Sequence, residues 1–131
     1  DPYSFISALN CILAQRLVRV LCPKCKTPVR LTDDQLRESG LAPAGFRDRT
    51  FYENKGCPDC SGTGYQGRTA IGEVLDLSDP IREMVLERKP LSEVRKKAKA
   101  EGMTSLREAG MEKVLQGITG LRDLNKVTFV E

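Results

Sequence analysis

Two Cys-Pro-x-Cys motifs constrain this chain more than any other feature of its sequence. The first is Cys22-Pro23-Lys24-Cys25, and the second is Cys57-Pro58-Asp59-Cys60. Thiolates bind zinc tetrahedrally, and two motifs of this spacing supply four ligands from two chain reversals. Each proline fixes φ early in its turn, which favours a tight knuckle. The sequence therefore predicts one zinc ion held by Cys22, Cys25, Cys57 and Cys60.

Four thiolates fill a tetrahedral site, so no position remains for water and we expect a structural metal rather than a catalytic one. The chain has no histidine that can replace a cysteine ligand or act as a general base. The free energy of metal binding is then largely folding free energy for residues 20–68. Three other uses of the cysteines stay open: two disulfides, a redox-active CxxC motif, and iron in the same cage of four sulfurs.

Composition and charge exclude several classes of protein. An odd number of cysteines, five, argues against a disulfide framework. The net charge of +3 is too small to indicate nucleic-acid binding, and the basic clusters have no interleaved aromatic side chains, so we expect no nucleic-acid partner. The chain opens without a basic signal-peptide segment, and no uncharged apolar run reaches membrane-spanning length. The expected compartment is the cytoplasm.

The hydrophobic spacing near the start predicts a helix over residues 4–21, with Cys11 as a small buried hydrophobe inside it. This helix is apolar on more than one side, so we interpret it as the last helix of a preceding domain. Between and after the knuckles we expect short strands, one short helix capped by Thr32 or Asp33, and a loop. Their predicted ranges are strands over 29–31, 50–53 and 69–77, a helix over 34–39 and a loop over 41–50.

The last third of the chain has clear helix punctuation. Asp79 and Pro80 begin a helix that Pro90 ends, and a second runs from Ser92 to Gly102. A capping box over residues 105–108 begins a third, which runs to Gly117, and Thr119 or Gly120 opens a short fourth. The predicted fold class is α+β and mostly helical. It has an N-terminal helix, a tetracysteine arm with short strands, and a C-terminal bundle of short helices.

The sequence contains no recognisable catalytic apparatus. It has no GxxxxGK[ST] phosphate loop, and the absence of histidine excludes Ser-His-Asp and Cys-His pairs. Glu73 is the carboxylate of most interest, because it falls within a predicted strand near Arg68. We expect Arg68 and Glu73 to form a structural ion pair rather than to carry out acid–base chemistry. No residue of this chain is predicted to be catalytic.

Three stretches together carry a family resemblance. They are residues 12–25 (ILAQRLVRVLCPKC), residues 56–60 with 63–73 (GCPDC, TGYQGRTAIGE), and residues 101–119, which include EGM, LR and GMEKVLQGIT. The chain resembles the C-terminal end of the secretion ATPase superfamily, in particular the type IV pilus assembly ATPases and the E-type ATPases of type II secretion. The resemblance covers nearly the whole chain and preserves the order and spacing of the motifs.

The resemblance implies three regions. Residues 1–21 would be the last helix of a RecA-like ATPase core, 22–68 the zinc-binding subdomain, and 69–131 a C-terminal strand with a helical subdomain. The family's tetracysteine ligands carry over onto Cys22, Cys25, Cys57 and Cys60. The family's nucleotide-binding loops and catalytic carboxylates match no residue here. ATP and Mg²⁺ would therefore bind only in an upstream core, and this chain alone would neither bind nor hydrolyse ATP.

The resemblance also implies an assembly. The full protein would be a cytoplasmic homohexamer, peripheral at the inner membrane, that works with inner-membrane platform proteins or cytoplasmic adaptors of a pilus or secretion machine. An alternative is a free-standing zinc-ribbon module that binds nucleic acid or a client polypeptide. Residues 57–64 match one CxxCxGxG repeat of DnaJ-type chaperones, which use four. The arm between the knuckles, residues 26–56, is a candidate for partner specificity.

Overall fold

The computed structural model describes residues 11–130, with the backbone but not the side chain of Ile12. The described chain combines helices with short strands, so the predicted α+β, mostly helical fold class is confirmed. In chain order the elements are β1 (Cys11–Leu21), β2 (Thr27–Val29), α1 (Asp33–Glu38), α2 (Pro43–Phe46), β3 (Phe51–Glu53), a 3₁₀ turn (Pro58–Cys60), β4 (Tyr65–Asp76), α3 (Asp79–Leu86), α4 (Leu91–Ala100), α5 (Leu106–Leu115) and α6 (Leu121–Val127).

The predicted N-terminal helix is wrong over the residues that the structure describes. Residues 11–21 form the strand β1, while residues 4–10 of that prediction lie outside the described part of the chain. Exposure alternates over residues 17–20, as in a strand: Leu17 is exposed and the next residue, Val18, is buried. The apolar residues of this segment fit both periods. Pairing with β4, which lies far along the chain, selects the strand over the helix. No local sequence pattern predicts that pairing.

The side chains of β1 also differ from the prediction. Cys11, predicted to be a buried hydrophobe, is exposed. Leu13 and Leu17 are each 57% exposed, so this part of the strand does not contribute both of its faces to a core.

The strands form two two-stranded sheets, β1 with β4 and β2 with β3. β2 and β3 are antiparallel, in the register Thr27 to Glu53, Pro28 to Tyr52 and Val29 to Phe51. The predicted strands over 50–53 and 69–77 are confirmed with small changes of bounds, and the strand predicted over 29–31 begins two residues earlier. The small sheet closes the arm between the knuckles.

Two short helices lie within that arm. Thr32 caps α1 in a capping box, in which Gln35 N donates to Thr32 Oγ1 at 3.2 Å and Thr32 N donates to Gln35 Oε1 at 2.9 Å. The loop predicted over 41–50 is interrupted by α2, because Pro43 supplies the φ that a first helical position needs. Phe46 at its end packs against the core.

The C-terminal helices follow the predicted punctuation. Ser78 rather than Asp79 caps α3, with its hydroxyl accepting from Ile81 N at 3.4 Å. α4 begins at Leu91, one residue before the predicted Ser92, and α5 and α6 begin at Leu106 and Leu121. The signals in this region are local, and the prediction is confirmed to within a few residues.

The described chain divides into two compact units, each with its own core. Residues 11–15 and 72–105 form the first unit, around Leu77, Ile81, Val94 and Ala98. Residues 16–71 and 106–130 form the second, around a larger cluster that comprises Val18, Leu36, Phe51, Ile71, Val114, Leu121 and Leu124. Both knuckles belong to the second unit. None of the helices over residues 11–130 combines the length and apolar character that crossing a membrane requires.

Candidate metal centre

The four cysteines of the two motifs converge on one point. Their Sγ atoms all lie within 4.8 Å of one another. The Sγ–Sγ distances are 3.8 Å for Cys22–Cys57, 3.8 Å for Cys25–Cys60 and 3.7 Å for Cys57–Cys60. Cys22 and Cys60 are buried, and Cys25 and Cys57 are half-buried. The structure thus brings together the residues that the sequence singles out as ligands.

The first knuckle is a tight turn directly after β1. Cys25 N donates to Cys22 O at 3.3 Å and Lys26 N to the same oxygen at 3.0 Å. These bonds reverse the chain within four residues, and Pro23, whose φ is fixed, lies at the first position inside the turn. Both sulfurs of the motif therefore lie on the same side of the turn.

The second knuckle is the 3₁₀ turn. Cys57 stands before its first residue, and Cys60 N donates to Cys57 O at 3.3 Å. Gly62 N donates to the same carbonyl at 2.9 Å, and Ser61 adopts a positive φ of 57° to allow it. Both knuckles share the bond from the second cysteine N to the first cysteine O. The next N–H that bonds this carbonyl lies four residues on in the first knuckle and five residues on in the second.

The sheet of β2 and β3 brings the knuckles together. β2 begins two residues after Cys25, and β3 ends four residues before Cys57. Because the strands are antiparallel and in register, the two ends of the arm are held side by side. Cys22 N also donates to Gly64 O at 2.9 Å, so backbone contacts bound the site on both sides.

Backbone N–H groups point at two of the sulfurs. Cys60 Sγ accepts from Cys57 N at 3.2 Å and from Gly64 N at 3.1 Å, and Cys25 Sγ accepts from Gly56 N at 3.3 Å. Gly64 has a φ of 84°, and a Cβ there would lie 2.5 Å from Asn54 Cβ. A glycine is therefore required at position 64 both by conformation and by space.

The hydrogen bonds separate the acidities of the second pair. Burial raises the pKa of the Cys57 thiol to about 11, although N–H groups of Cys60 and Asp59 act in the opposite direction. Burial also tends to raise the pKa of Cys60, but N–H donation from Cys57 and Gly64 outweighs it and lowers that pKa to about 6. A cation bound by both sulfurs would therefore displace the proton that Cys57 otherwise keeps.

The arrangement fits a tetrahedral metal. A metal–sulfur distance of about 2.3 Å gives a tetrahedron whose edges are about 3.8 Å, which is what the measured sulfur pairs show. A disulfide requires a sulfur separation of about 2.05 Å, and the described cysteines are all free thiols. N–H donors to thiolates supply the outer hydrogen bonds that metal ligands generally have. The four cysteines can hold a metal ion.

A comparison with known families identifies the family of this chain. The profile of the family described as "Type II/IV secretion system protein" matches residues 1–126. The chain belongs to this family.

Proteins similar to this chain fall into two groups by name. Two are named "Type IV pilus assembly ATPase PilB": that of Thermus thermophilus is 41% identical over 124 residues, and that of Myxococcus xanthus is 41% identical over 125. These matches cover 95% of this chain, and 14% and 22% of the relatives. The "Type II secretion system protein E" of Pseudomonas aeruginosa is 36% identical over 131 residues, 100% of this chain and 26% of that protein. The secretion-family chain therefore spans about a quarter or less of these relatives.

An ion-pair network flanks the four-cysteine cluster of this secretion-family chain. Asp123 is 4% exposed, and its Oδ1 accepts from Arg19 Nη2 at 2.9 Å. Its Oδ2 accepts from Tyr65 Oη at 3.1 Å, and Arg19 Cζ lies 3.9 Å from the centroid of the Tyr65 ring. Burial, together with the charge and hydrogen bond of Asp123, raises the pKa of Tyr65. The network holds the end of β1 and the start of β4, which lie next to the knuckles.

Glu73 has a different partner from the predicted one. Its Oε1 accepts from Arg95 Nη1 at 2.9 Å, so the prediction of a pair with Arg68 is wrong. Arg95 lies on α4, in the same unit as Glu73. Glu73 does form an ion pair, but with a partner that the local sequence does not indicate.

Two further residues near the centre had no signal in the sequence. Lys26 Nζ donates to Gly117 O at 2.9 Å, a contact between residues 91 positions apart. Thr119 Oγ1 donates to Arg19 O at 2.7 Å across 100 positions. The three-dimensional fold alone brings these residues to the first knuckle.

Proposed function

We propose that this chain is the zinc-binding C-terminal module of a hexameric ATPase that powers type IV pilus assembly or type II protein secretion. The observation that carries the proposal is the set of four sulfurs at the spacing of a tetrahedral metal site in a chain of the type II/IV secretion family. The module has a structural and coupling role. ATP and Mg²⁺ bind in an upstream core, and the chain itself supplies no catalytic residue.

Zinc is the metal we assign to the site. Four cysteine sulfurs also suit iron, but zinc is the usual occupant of closed structural cages of this type. When bound, the ion would act as a cross-link between the two knuckles, held by Cys22, Cys25, Cys57 and Cys60. Since the site is closed, its contribution is folding free energy rather than chemistry.

The parent protein, on this proposal, is a cytoplasmic homohexamer that is peripheral at the inner membrane. Its partners are inner-membrane platform proteins or cytoplasmic adaptors of the machine, with no nucleic-acid partner. The names of the relatives support this assignment, because they include pilus assembly ATPases and type II secretion proteins. The ATPase activity in these names is that of the whole proteins, and this chain spans only a minor part of their length.

The metal is tested by elemental analysis combined with thiol titration. We expect one zinc per chain in protein purified without chelator. Four of the five thiols should react with a thiol reagent only after a strong chelator is added, while the exposed Cys11 reacts at once. One iron per chain would replace zinc as the assigned ion. Recovery of reactive thiols by a reductant rather than by a chelator would contradict the metal assignment.

Chimeric proteins test which machine this chain serves, pilus assembly or type II secretion. This chain would replace the corresponding part of the Pseudomonas aeruginosa type II protein E and, separately, of the Myxococcus xanthus PilB. We expect one chimera to restore secretion or piliation and to lose it when Cys22 is changed to serine, with Cys11→Ser as the matched control. If both chimeras hydrolyse ATP as hexamers and neither restores its machine, the coupling role is contradicted.

A further inference from the structure

Residues 117–120, which lie in the loop between α5 and α6, contact the chain on both sides of the first knuckle. Before the knuckle, Leu21 N donates to Ile118 O at 2.8 Å and Arg19 O accepts from Thr119 Oγ1 at 2.7 Å. After the knuckle, Lys26 Nζ donates to Gly117 O at 2.9 Å. Three successive residues of this loop therefore bracket the turn that carries Cys22 and Cys25.

Each of the two side chains in these contacts is well fixed. Thr119 is fully buried, and its hydroxyl satisfies a backbone carbonyl of β1. Lys26 is half-buried, and its ammonium lies 4.7 Å from the centroid of the Tyr52 ring. Tyr52 lies on β3, so the small sheet of the arm also supports Lys26.

The charge of Lys26 suits its position in two ways. The carbonyl that it binds lies just beyond the end of α5, where the negative end of a helix dipole favours a cation. Four thiolates around one divalent ion leave a net negative charge, and Lys26 directly follows Cys25 in the sequence. Both interactions favour Lys26 in the position that the structure shows.

We propose that Lys26 and Thr119 are positioning residues for the metal, so that metal binding and the docking of the α5–α6 loop stabilise each other. The inference rests on the proposed zinc site and extends it to the helices of the same unit. Coupling of this kind is reciprocal: whatever the loop contributes to metal affinity, the metal contributes to the order of the loop. The zinc ion would thereby stabilise the packing of α5 and α6, although none of its four ligands lies on these helices.

The first test is zinc affinity, measured by competition with a chromogenic chelator. We expect Lys26→Met to weaken zinc binding about tenfold, which is at the low end of what substitutions outside the ligand set produce. Lys26→Arg should restore affinity to within about twofold, because it keeps the charge and the donor. Lys24→Met is the matched control, since it removes the same charge from the other side of Cys25 at an exposed position. It should weaken zinc binding far less than Lys26→Met does.

The second test needs no substitution. Amide hydrogen exchange in the wild-type chain is compared with zinc bound and after chelation. We expect chelation to speed exchange at Leu21, whose amide donates to Ile118 O, and at Leu124, whose amide donates to Gly120 O. The amide of Arg82 in α3, which donates to Ser78 O, lies in the other unit and should be unaffected.

The outcomes separate this inference from the proposed function. If wild-type protein binds no metal, the zinc site itself is contradicted. Two results would overturn only the coupling through the loop in a protein that binds one zinc. One is a Lys26→Met variant that binds zinc as tightly as wild type, and the other is a Leu124 amide whose exchange rate does not change on chelation. Where Lys26→Met fails to fold, the exchange experiment on the wild type still decides.

Discussion

Replacing Cys60 by serine should abolish stoichiometric zinc binding and unfold the second unit of the chain under mild conditions. Cys60 is the buried ligand that accepts two backbone N–H bonds, from Cys57 and Gly64. A neutral serine hydroxyl is a poor zinc ligand, so three thiolates would remain. Because metal binding is largely folding free energy in such a site, we expect a loss of about 4 kcal/mol or more in the free energy of unfolding.

The loss should be local to the second unit. The sheet of β2 and β3 has only three residues in each strand, and a two-stranded sheet of that size is marginal without further support. The first unit has its own core, which includes Leu77, Ile81 and Val94. We therefore expect α3 and α4 to keep their helical signal after the cysteine is changed.

Urea unfolding, followed by circular dichroism and by hydrogen exchange, measures this effect, with zinc content determined on the same samples. Cys11→Ser is the matched control, because Cys11 is exposed and lies outside the tetrad. It should leave both zinc content and the unfolding midpoint unchanged. A Cys60→Ser protein that retains one zinc and unfolds at the wild-type midpoint would show that the four sulfurs do not hold the unit together.

The elements that could be predicted from sequence are those with local signals. Proline, glycine and capping residues punctuate α3 to α6, and these signals act within one turn of the residues that carry them. The same holds for Thr32 and Gln35 at α1, where two side chains satisfy the first N–H groups of the helix. The cluster of four cysteines is predictable for a related reason, since each pair occurs within a four-residue motif.

The errors arise where distant contacts decide the structure. The segment that became β1 has apolar residues at spacings that fit either a helix or a strand, and its partner β4 begins at Tyr65. Glu73 pairs with Arg95, 22 positions away, instead of the nearer Arg68. Lys26, Thr119 and Asp123 meet partners 91 to 104 positions away. No periodicity or local motif encodes such pairs.

A second large effect is expected in the core of the second unit, where α5 passes close to α6. Gly110 is buried in α5, and a methyl group there would overlap Leu124 Cδ1 and lie 3.2 Å from Ile71 Cδ1. Alanine favours a helix over glycine by about 1 kcal/mol, but forcing a methyl group into a packed core typically costs about 1–3 kcal/mol. Since Leu124 is fully buried and has little room to move, we expect Gly110→Ala to be net destabilising.

The sign of that effect should depend on Leu124. Leu124→Ala alone should cost about 3 kcal/mol, because it leaves a cavity among buried apolar side chains. In that background Gly110→Ala no longer meets the Leu124 methyl group, and its helix propensity should make it stabilising. A double-mutant cycle in urea should therefore show a coupling free energy of about 2 kcal/mol.

Gly45→Ala is the matched control for the glycine substitution. Gly45 lies in α2, and a Cβ there would meet nothing within 4 Å. Alanine should therefore stabilise the folded protein by about 0.5–1 kcal/mol, because it lowers the conformational entropy of the unfolded chain. If Gly110→Ala stabilised the protein as Gly45→Ala does, or if the cycle showed no coupling, the close contact of α5 with α6 would be contradicted. Residues 117–120, which join these helices, also bracket the first knuckle. On the coupling proposed above, the close packing of α5 on α6 would therefore extend the order of the metal site through the second unit.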